Sequence, residues 1–364
     1  MSQARMNDSS DTMIFTGNIY IFHTFDVGDD VDLLAVSKMH TVVPITHKAK
    51  HFKHHHAPLA IELKNKKTST YFSMCKVHNF GGICLTYKIG FQDTLKNLKK
   101  SYEQIVNAHY DKSLQDALAI FKAIEPAISQ PTFAKARSSY STLQIDPHPQ
   151  VKDLKELQKI YGDTIASMLR LETETLSEYQ ISEIWESAIG YYREELMVID
   201  ADSSFIYTKD YLDIIDLFEF GAIHHLELRF FDRVLDEKLN EIYEGKVKQT
   251  TWASYMPFYT MFSDDPIEKL WKMKVDISVI TERLESSIKI ANEKYLSEIH
   301  QLLTEHMEIK QWQESIDRKL KIIESVQASH QHKIETNRED MISILITILI
   351  FIELVIGILN YFGK

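Results

Sequence analysis

The chain has 364 residues, and 52 acidic against 41 basic residues give it a formal net charge of −11. This length predicts two or three domains, and an apolar fraction of 44% excludes a chain that is disordered throughout. The acidic balance excludes a protein that coats nucleic acid over its whole surface, but it permits a local basic patch.

Helix is expected to dominate, because 11 Gly and 8 Pro are few for a chain of this length. Residues 1–125 are predicted to form an α+β domain. Within it, strands are expected at 18–25, 59–63, 70–77 and 83–87, and helices at 91–108 and 113–124. Residues 126–149 hold four of the eight prolines and a Ser-rich stretch, so they are predicted to be a linker.

Residues 150–262 are predicted to form a helical domain that contains a short β-hairpin. Its helices are expected at 150–195 and 209–244, on either side of strands at 196–199 and 205–207. Residues 263–340 are predicted to form a long helical or coiled-coil region, since Asp264-Asp265-Pro266 is a strong helix start and apolar residues then recur in steps of three and four. The stripe drifts from a strict heptad, so a single rod and a folded-back pair both remain open.

The segment 341–362 is predicted to be a transmembrane helix. Met341 to Leu359 is apolar except for Ser343, Thr347 and Glu353, and about 20 such residues cross a hydrocarbon core of about 30 Å. A buried core helix is the alternative. The span would be a tail anchor that leaves residues 1–340 in the cytosol. Residues 1–11 resemble neither a signal nor a transit peptide, which favours a bacterial inner membrane.

Glu353 is the costly residue of this segment. A carboxylate in hydrocarbon costs about 2.5 kcal/mol or more, so it is expected to be paired, protonated or near the interface. One interpretation is a hydrogen bond between the anchor helices of a homo-oligomer, helped by the small Gly357. In that case Glu353→Leu would weaken oligomerisation. The alternative is a glutamate that lies close enough to the interface to be tolerated.

A basic segment, residues 38–67, stands out against the acidic chain because it holds seven lysines and one acidic residue. We call it the basic loop. An anionic partner, RNA or acidic lipid, is one interpretation, metal binding is a second, and a solvated loop without a ligand is the third. The candidate anion-binding residues are Lys48, Lys50, Lys53, Lys64, Lys66 and Lys67, and the weak metal-binding candidates are His51, His54, His55 and His56.

No catalytic residue or cofactor is assigned from the sequence. It contains no His-Glu-x-x-His, no phosphate-binding Gly-rich loop, no Gly-x-Ser-x-Gly and no kinase motif. Cys75 and Cys84 lack metal or redox spacing and are expected to be buried thiols in a reducing compartment. The acidic cluster at Asp26, Asp29, Asp30 and Asp32 fits helix capping better than a calcium loop.

Several segments together are similar to the "required for meiotic nuclear division" family of membrane-tethered proteins. They are Phe25–Leu33, Phe80–Leu85, Leu228–Asp236, Asp264–Pro266 and Ile352–Leu354. The resemblance implies a tail-anchored α+β and helical protein without established catalytic residues. A mitochondrial branch of that family supports organelle translation at the inner membrane, so the resemblance also implies a ribosome or RNA partner and makes that membrane an alternative location.

The sequence is compatible with two functions. The first is a non-enzymatic membrane scaffold or tether whose soluble domain binds a macromolecular partner. The second is a membrane-held domain that binds a metal or phosphate ligand, with possible hydrolytic activity, through the His-rich part of the basic loop or the acidic cluster.

Overall fold

The computed structural model describes residues 13–28, 30–45, 57–64, 71–151, 153–190, 192–243 and 294–362, together with 275, 277–279 and 282. Residues 1–230 and 280–312 form one compact unit, and residues 231–279 and 313–364 form a second.

A mixed sheet of eight strands is the centre of the first unit, as far as the described residues show. The strands are β1 Phe15–Asp26, β2 Val42–Pro44, β3 Leu59–Leu63, β4 Phe72–Val77, β5 Gly82–Asp93, β6 Arg137–Ile145, β7 Leu196–Ile199 and β8 Ser203–Tyr207. Their order is β2-β3-β4-β5-β1-β6-β8-β7. The pairs are antiparallel except β6 and β8, which run parallel.

The structure corrects the linker predicted at residues 126–149, because this segment contains β6. The strand pairs with β1 from Gly17 to Phe25 on one side and with β8 on the other. Its Ser-rich sequence is typical of a loop. In the structure, however, hydroxyl groups of this segment form hydrogen bonds inside the fold, as Tyr140 does by donating to the Ser203 carbonyl at 2.9 Å. The prolines of the segment flank the strand. The hairpin β7–β8 extends the same sheet, so the strands of the predicted α+β domain 1–125 do not form a sheet of their own.

Helices lie on both faces of the sheet. The described helices of the whole chain are α1 Leu33–Lys38, α2 Leu95–Asn107, α3 Tyr110–Ile124, α4 Leu154–Leu169, α5 Glu178–Glu186, α6 Leu212–Tyr243, α7 Lys294–His306 and α8 Ile309–Phe362, with a 3-10 turn at Glu125–Ala127. Helices α2 to α5 share one apolar core with Ile19, Ile21 and Phe25 of β1. Helix α6 meets the other face, where Thr24 donates to the Ala222 carbonyl and the ring of Tyr140 contacts Phe218. Alternation along the strands separates these two sets of side chains.

Helix α7 packs on the outer side of α6. A Cβ atom at Gly221 would lie 2.5 Å from Cδ2 of Leu303, so this glycine allows the two helices to approach closely. Glu308, with φ of +54°, separates α7 from α8, so residues 294–340 of the predicted long region form two helices and not one rod. A coiled coil is not shown. Most of residues 263–293 lie outside the described residues.

The helix predicted at 150–195 is also two helices, α4 and α5. Leu171 between them has φ of +55°, and Ser177 caps α5 by accepting from the backbone N–H of Gln180. Capping explains Asp32 of the acidic cluster too, since its side chain accepts from the N–H groups of Leu34 and Ala35 at the start of α1.

Candidate functional site

A buried ion cluster joins β4 to α6. The Nζ atom of Lys76 lies 2.7 Å from Oδ1 of Asp216 and 2.8 Å from Oε2 of Glu219, and all three side chains are buried. The two carboxylates stand three residues apart on α6 and therefore share one helix face. Burial alone would lower the pKa of Lys76, but the charges of Glu219 and Asp216 outweigh it and the pKa is raised, so the ammonium stays charged.

The thiols of Cys75 and Cys84 lie beside this cluster. Burial raises the pKa of both well above the ordinary value, and the negative charge of Glu219 adds to it. Both cysteines are free, and a thiol kept protonated is neither a nucleophile nor a metal ligand. These residues match the interpretation of buried, unreactive thiols.

Further ionisable groups continue the cluster along α6. Burial lowers the pKa of His224 to about 3, with neighbouring His300 and His225 acting in the same direction. Burial also lowers the pKa of His78 to about 3, and it raises that of Glu227 well above its ordinary value with help from the charge of Asp26. Within the described residues, no three His, Cys, Asp or Glu side chains are placed to hold a metal ion. These ionisable side chains therefore form a buried polar layer between α6 and the sheet.

A cavity of about 300 Å³ lies beside the first residues of β6, an interior strand of the sheet. It is lined by Ile21, His23, Val106, Asn107, Tyr110, Arg137, Ser138, Ser139, Tyr140, Ser141, Leu171, Asp202 and Arg229. Nδ1 of His23 lies 2.8 Å from Oγ of Ser139 on the adjacent strand. The cavity combines two guanidinium groups, three serine hydroxyls and one buried imidazole, which are groups that donate hydrogen bonds to an oxyanion.

The residues predicted to bind anions or metal lie mostly outside the described part of the chain. These are Lys48, Lys50, Lys53, Lys66 and Lys67, and also His51, His54, His55 and His56. Lys64 is described and exposed, directly after β3. The anion and metal interpretations of the basic loop therefore stay predictions.

The segment predicted to span a membrane is described as part of α8. The candidate span Glu339–Leu359 contains an 18-residue stretch with a mean hydropathy of 2.9, and none of that stretch is buried. Among the described helices, α8 is the one long and apolar enough to cross a bilayer by length and composition. Glu353 lies within this stretch and is exposed.

Sequence reasoning missed both the ion cluster and the cavity. A signal existed for the first: Lys76 lies in the strand sequence Phe72–Val77, where a lysine facing the interior needs a buried carboxylate. The cavity had no comparable signal. Arg137 was part of the predicted linker and Arg229 part of a helix, and nothing in the local pattern relates them.

The family model described as "Uncharacterized protein MJ0711, N-terminal domain" matches residues 16–213, more than half of the chain. The chain belongs to this family. The matched region runs from β1 to the first residues of α6 and so covers the whole sheet. The resemblance to the meiotic nuclear division family is a separate hypothesis that this match does not test.

Uncharacterized protein MJ0711 of Methanocaldococcus jannaschii is 23% identical over 193 residues, which are 52% of this chain and 55% of that protein. The chain thus spans about half the length of the curated relative it matches. No solved structure matches the chain.

Proposed function

We propose that this protein is a membrane-anchored tether that acts by binding a macromolecular partner through its soluble part. The observation that carries the proposal is the exposed apolar stretch Glu339–Leu359 of α8. A contiguous apolar surface of this size is not stable in water, and its 21 residues match the thickness of a hydrocarbon core. A bilayer both removes this apolar surface from water and matches its length.

The anchor is continuous with a helix segment that has its own tertiary contacts. Nζ of Lys319 on α8 lies 2.7 Å from Oδ1 of Asp232 and 2.7 Å from Oδ1 of Asp236, both on α6. Ser315, one helical turn earlier, donates to Oδ1 of Asp232 at 2.7 Å. One uninterrupted helix carries both these contacts and the apolar stretch, so the proposed anchor is continuous with the part of α8 that contacts α6.

Homo-oligomerisation through the anchor is part of the proposal. A Cβ atom built on Gly357 meets nothing within 4 Å, so a second helix can approach the backbone closely there. Glu353 lies one turn away and would donate or accept a hydrogen bond across such a contact. Glu353→Leu is then expected to shift the assembly in mild detergent towards the monomer, and an unchanged oligomer would reject this part.

The partner proposed for the soluble part is a polyanion, bound by the basic loop. Its lysines concentrate positive charge in a chain of net charge −11, and the family resemblance favours ribosomal RNA over acidic lipid. The proposed location is the bacterial inner membrane with the sheet in the cytosol. The mitochondrial inner membrane is the alternative that the resemblance implies.

The anchor is tested by placing charge in the middle of the span. The double variant Ile346→Lys/Ile350→Lys puts two charges on one face of α8, each costing about 2.5–3.5 kcal/mol at the bilayer centre. We expect the full-length variant to appear in the supernatant after alkaline extraction of membranes. The control Ile346→Leu/Ile350→Leu keeps the length and apolarity and should stay in the pellet. Release of the unmodified protein would reject the anchor.

The tether is tested by crosslinking in cells, extraction in mild detergent, affinity capture, and identification of the proteins and RNA recovered. Ribosomal proteins with rRNA are expected, and Lys48→Ala/Lys50→Ala/Lys53→Ala should remove them. Lys122→Ala/Lys155→Ala/Lys159→Ala removes the same charge from exposed helix positions and should not. Recovery of the protein alone, or equal loss in both triple variants, would reject the basic loop as the binding surface.

A further inference from the structure

The cavity beside β6 exists because β6 begins before its neighbour β8. Their pairing starts at Ser141 opposite Ser203, so the edge of β6 from Arg137 to Tyr140 has no strand beside it. The N–H of Ser141 donates to the Asp202 carbonyl at 3.0 Å, away from β1. Ser139 stands two residues earlier, so its N–H points to the same edge. The backbone therefore presents a donor where the cavity opens.

Two arginines bring positive charge to this edge from opposite faces of the sheet. Arg137 belongs to β6 itself; its guanidinium donates to Oγ of Ser113 at 2.9 Å and lies over the ring of Tyr110. Arg229 belongs to α6 and is exposed. Neither guanidinium forms an ion pair with a carboxylate of the described residues. The cavity is therefore lined by two arginines that form no ion pair within the described part of the chain.

The acidic groups at the cavity do not neutralise both arginines. Asp200 pairs with Arg170, whose Nε lies 2.8 Å from its Oδ2. Asp202 lines the cavity, and burial and the charge of Asp200 raise its pKa, while Arg229 and then Arg170 lower it. The cavity thus holds two positive charges against one carboxylate.

A buried neutral imidazole completes the lining. His23 is 2% exposed, and its Nε2 has no hydrogen-bond partner among the described residues. Burial, with a smaller contribution from Arg137, lowers its pKa to about 3, so the ring is neutral near pH 7. When Ser139 donates to Nδ1, the proton of the imidazole is on Nε2, and Nε2 is then a buried donor without a partner among the described residues. An unsatisfied buried donor of this kind is destabilising unless a ligand or water accepts a hydrogen bond from it.

We infer that this cavity binds the phosphate group of a small phosphate monoester. Guanidinium groups form bidentate, charge-assisted hydrogen bonds with phosphate oxygens, and the Ser139 backbone N–H, the serine hydroxyls and His23 supply neutral donors around them. A volume of about 300 Å³ accommodates a phosphate together with a small organic group, at the lower end of ligand pockets. The inference is independent of the membrane tether, since every residue it uses lies in the sheet unit.

The test is calorimetric titration of the full-length protein in detergent with glycerol 3-phosphate, inorganic phosphate, glycerol and acetate. Saturable binding of glycerol 3-phosphate is expected, with weaker or absent binding of glycerol and acetate. Equal affinity for inorganic phosphate would mean that the phosphate group alone is recognised, and tighter binding of the ester would mean that the organic group contributes. Both results support the site. Absence of saturable binding of either phosphate up to about 10 mM, or acetate binding as tightly as phosphate, would overturn it.

Variants locate the binding in this cavity. Arg229→Gln removes an exposed charge and should preserve the fold while weakening glycerol 3-phosphate binding about tenfold or more, because a charge-assisted hydrogen bond to the phosphate is lost. Ser139→Ala should weaken it as well, through loss of the hydroxyl that orients His23. Arg193→Gln, at an arginine outside this cavity, is the matched control and should bind normally. Unchanged binding in both Arg229→Gln and Ser139→Ala would refute the assignment.

Discussion

The ammonium of Lys76 donates to the carboxylate of Glu219 across the interface between β4 and α6, with 2.8 Å between Nζ and Oε2 and each side chain 3% exposed. The free energy needed to desolvate two such charges is about as large as the free energy of their attraction. The pair therefore contributes little net stability. Its effect is on geometry. Rotating α6 about its axis would leave a buried lysine without a carboxylate, so the pair selects the helix face that meets the sheet.

Lys76→Met is expected to lower the free energy of unfolding by about 3–5 kcal/mol, because Asp216 and Glu219 are left buried near each other without a cation. Denaturant unfolding of the full-length protein in detergent measures this loss. In the triple variant Lys76→Met/Asp216→Asn/Glu219→Gln the charges are removed together, and most of the stability should return. A single variant as stable as the unmodified protein would contradict the role of the cluster.

Two glycines on neighbouring strands, Gly17 of β1 and Gly90 of β5, should respond differently to the same substitution. A Cβ atom at Gly17 would lie 2.1 Å from the backbone oxygen of Gln144, whereas one at Gly90 has Oδ1 of Asn18 at 3.8 Å as its neighbour. Gly17→Ala therefore forces β6 away from β1 and should cost about 1–3 kcal/mol or more. Gly90→Ala is the matched control and should be close to neutral. Equal melting temperatures for the two variants would show that the β1–β6 pairing is looser than described.

The contact between α6 and α8 offers an internal comparison of two aspartates. Lys319 approaches Asp232 and Asp236 equally, at 2.7 Å, but the side chain of Asp232 is 13% exposed and that of Asp236 is 55% exposed. Asp232 also accepts from Ser315. Asp232→Asn should therefore destabilise the α8 contact more than Asp236→Asn, for which less than about 1 kcal/mol is expected because solvent screens the pair. Amide hydrogen exchange over residues 309–323 measures the difference, and the reverse order would be incompatible with these contacts.

Acid sensitivity should depend on His224. Its pKa is about 3 in the folded protein, below the ordinary value of 6.5, so the unfolded chain binds one more proton between these values. The stability this group contributes is present above pH 6.5 and is lost as the pH falls, by up to about 1.4 kcal/mol per pH unit. His225 and His300 titrate in the same direction, whereas the raised pKa of Glu227 acts in the opposite one.

His224→Leu isolates the contribution of this one imidazole. Thermal unfolding between pH 7 and pH 4.5 should lose stability less steeply in the variant than in the unmodified protein. His40→Leu removes a histidine from an exposed position and controls for the change of composition. A variant that loses stability as steeply as the unmodified protein would show that His224 is charged in the folded state.

Local sequence patterns predicted most of the elements but not how they assemble. Four expected strands correspond to β1, β3, β4 and β5, and the expected hairpin is β7–β8. The sequence predicts a loop where β6 lies, because serines and threonines are typical of polar turns. Burial on both faces is what makes that sequence a strand, since its hydroxyls bond inside the fold, as Thr142 does with Ser204 at 2.8 Å. The helix boundaries at Leu171 and Glu308 were likewise missed, because neither is a glycine or a proline.

By itself the sequence determined the apolar stretch of α8, a helix cap within the acidic cluster and the mixed character of the chain, because hydropathy and capping depend on residues within a few positions of each other. Only the tertiary structure decided that β6 pairs with β1, that Lys76 meets Glu219, and that Arg137 and Arg229 face one cavity. These relationships join residues many tens of positions apart. They depend on which faces become buried together when the sheet and its helices pack. Local periodicity shows which face of an element is apolar, but not which other element that face will contact.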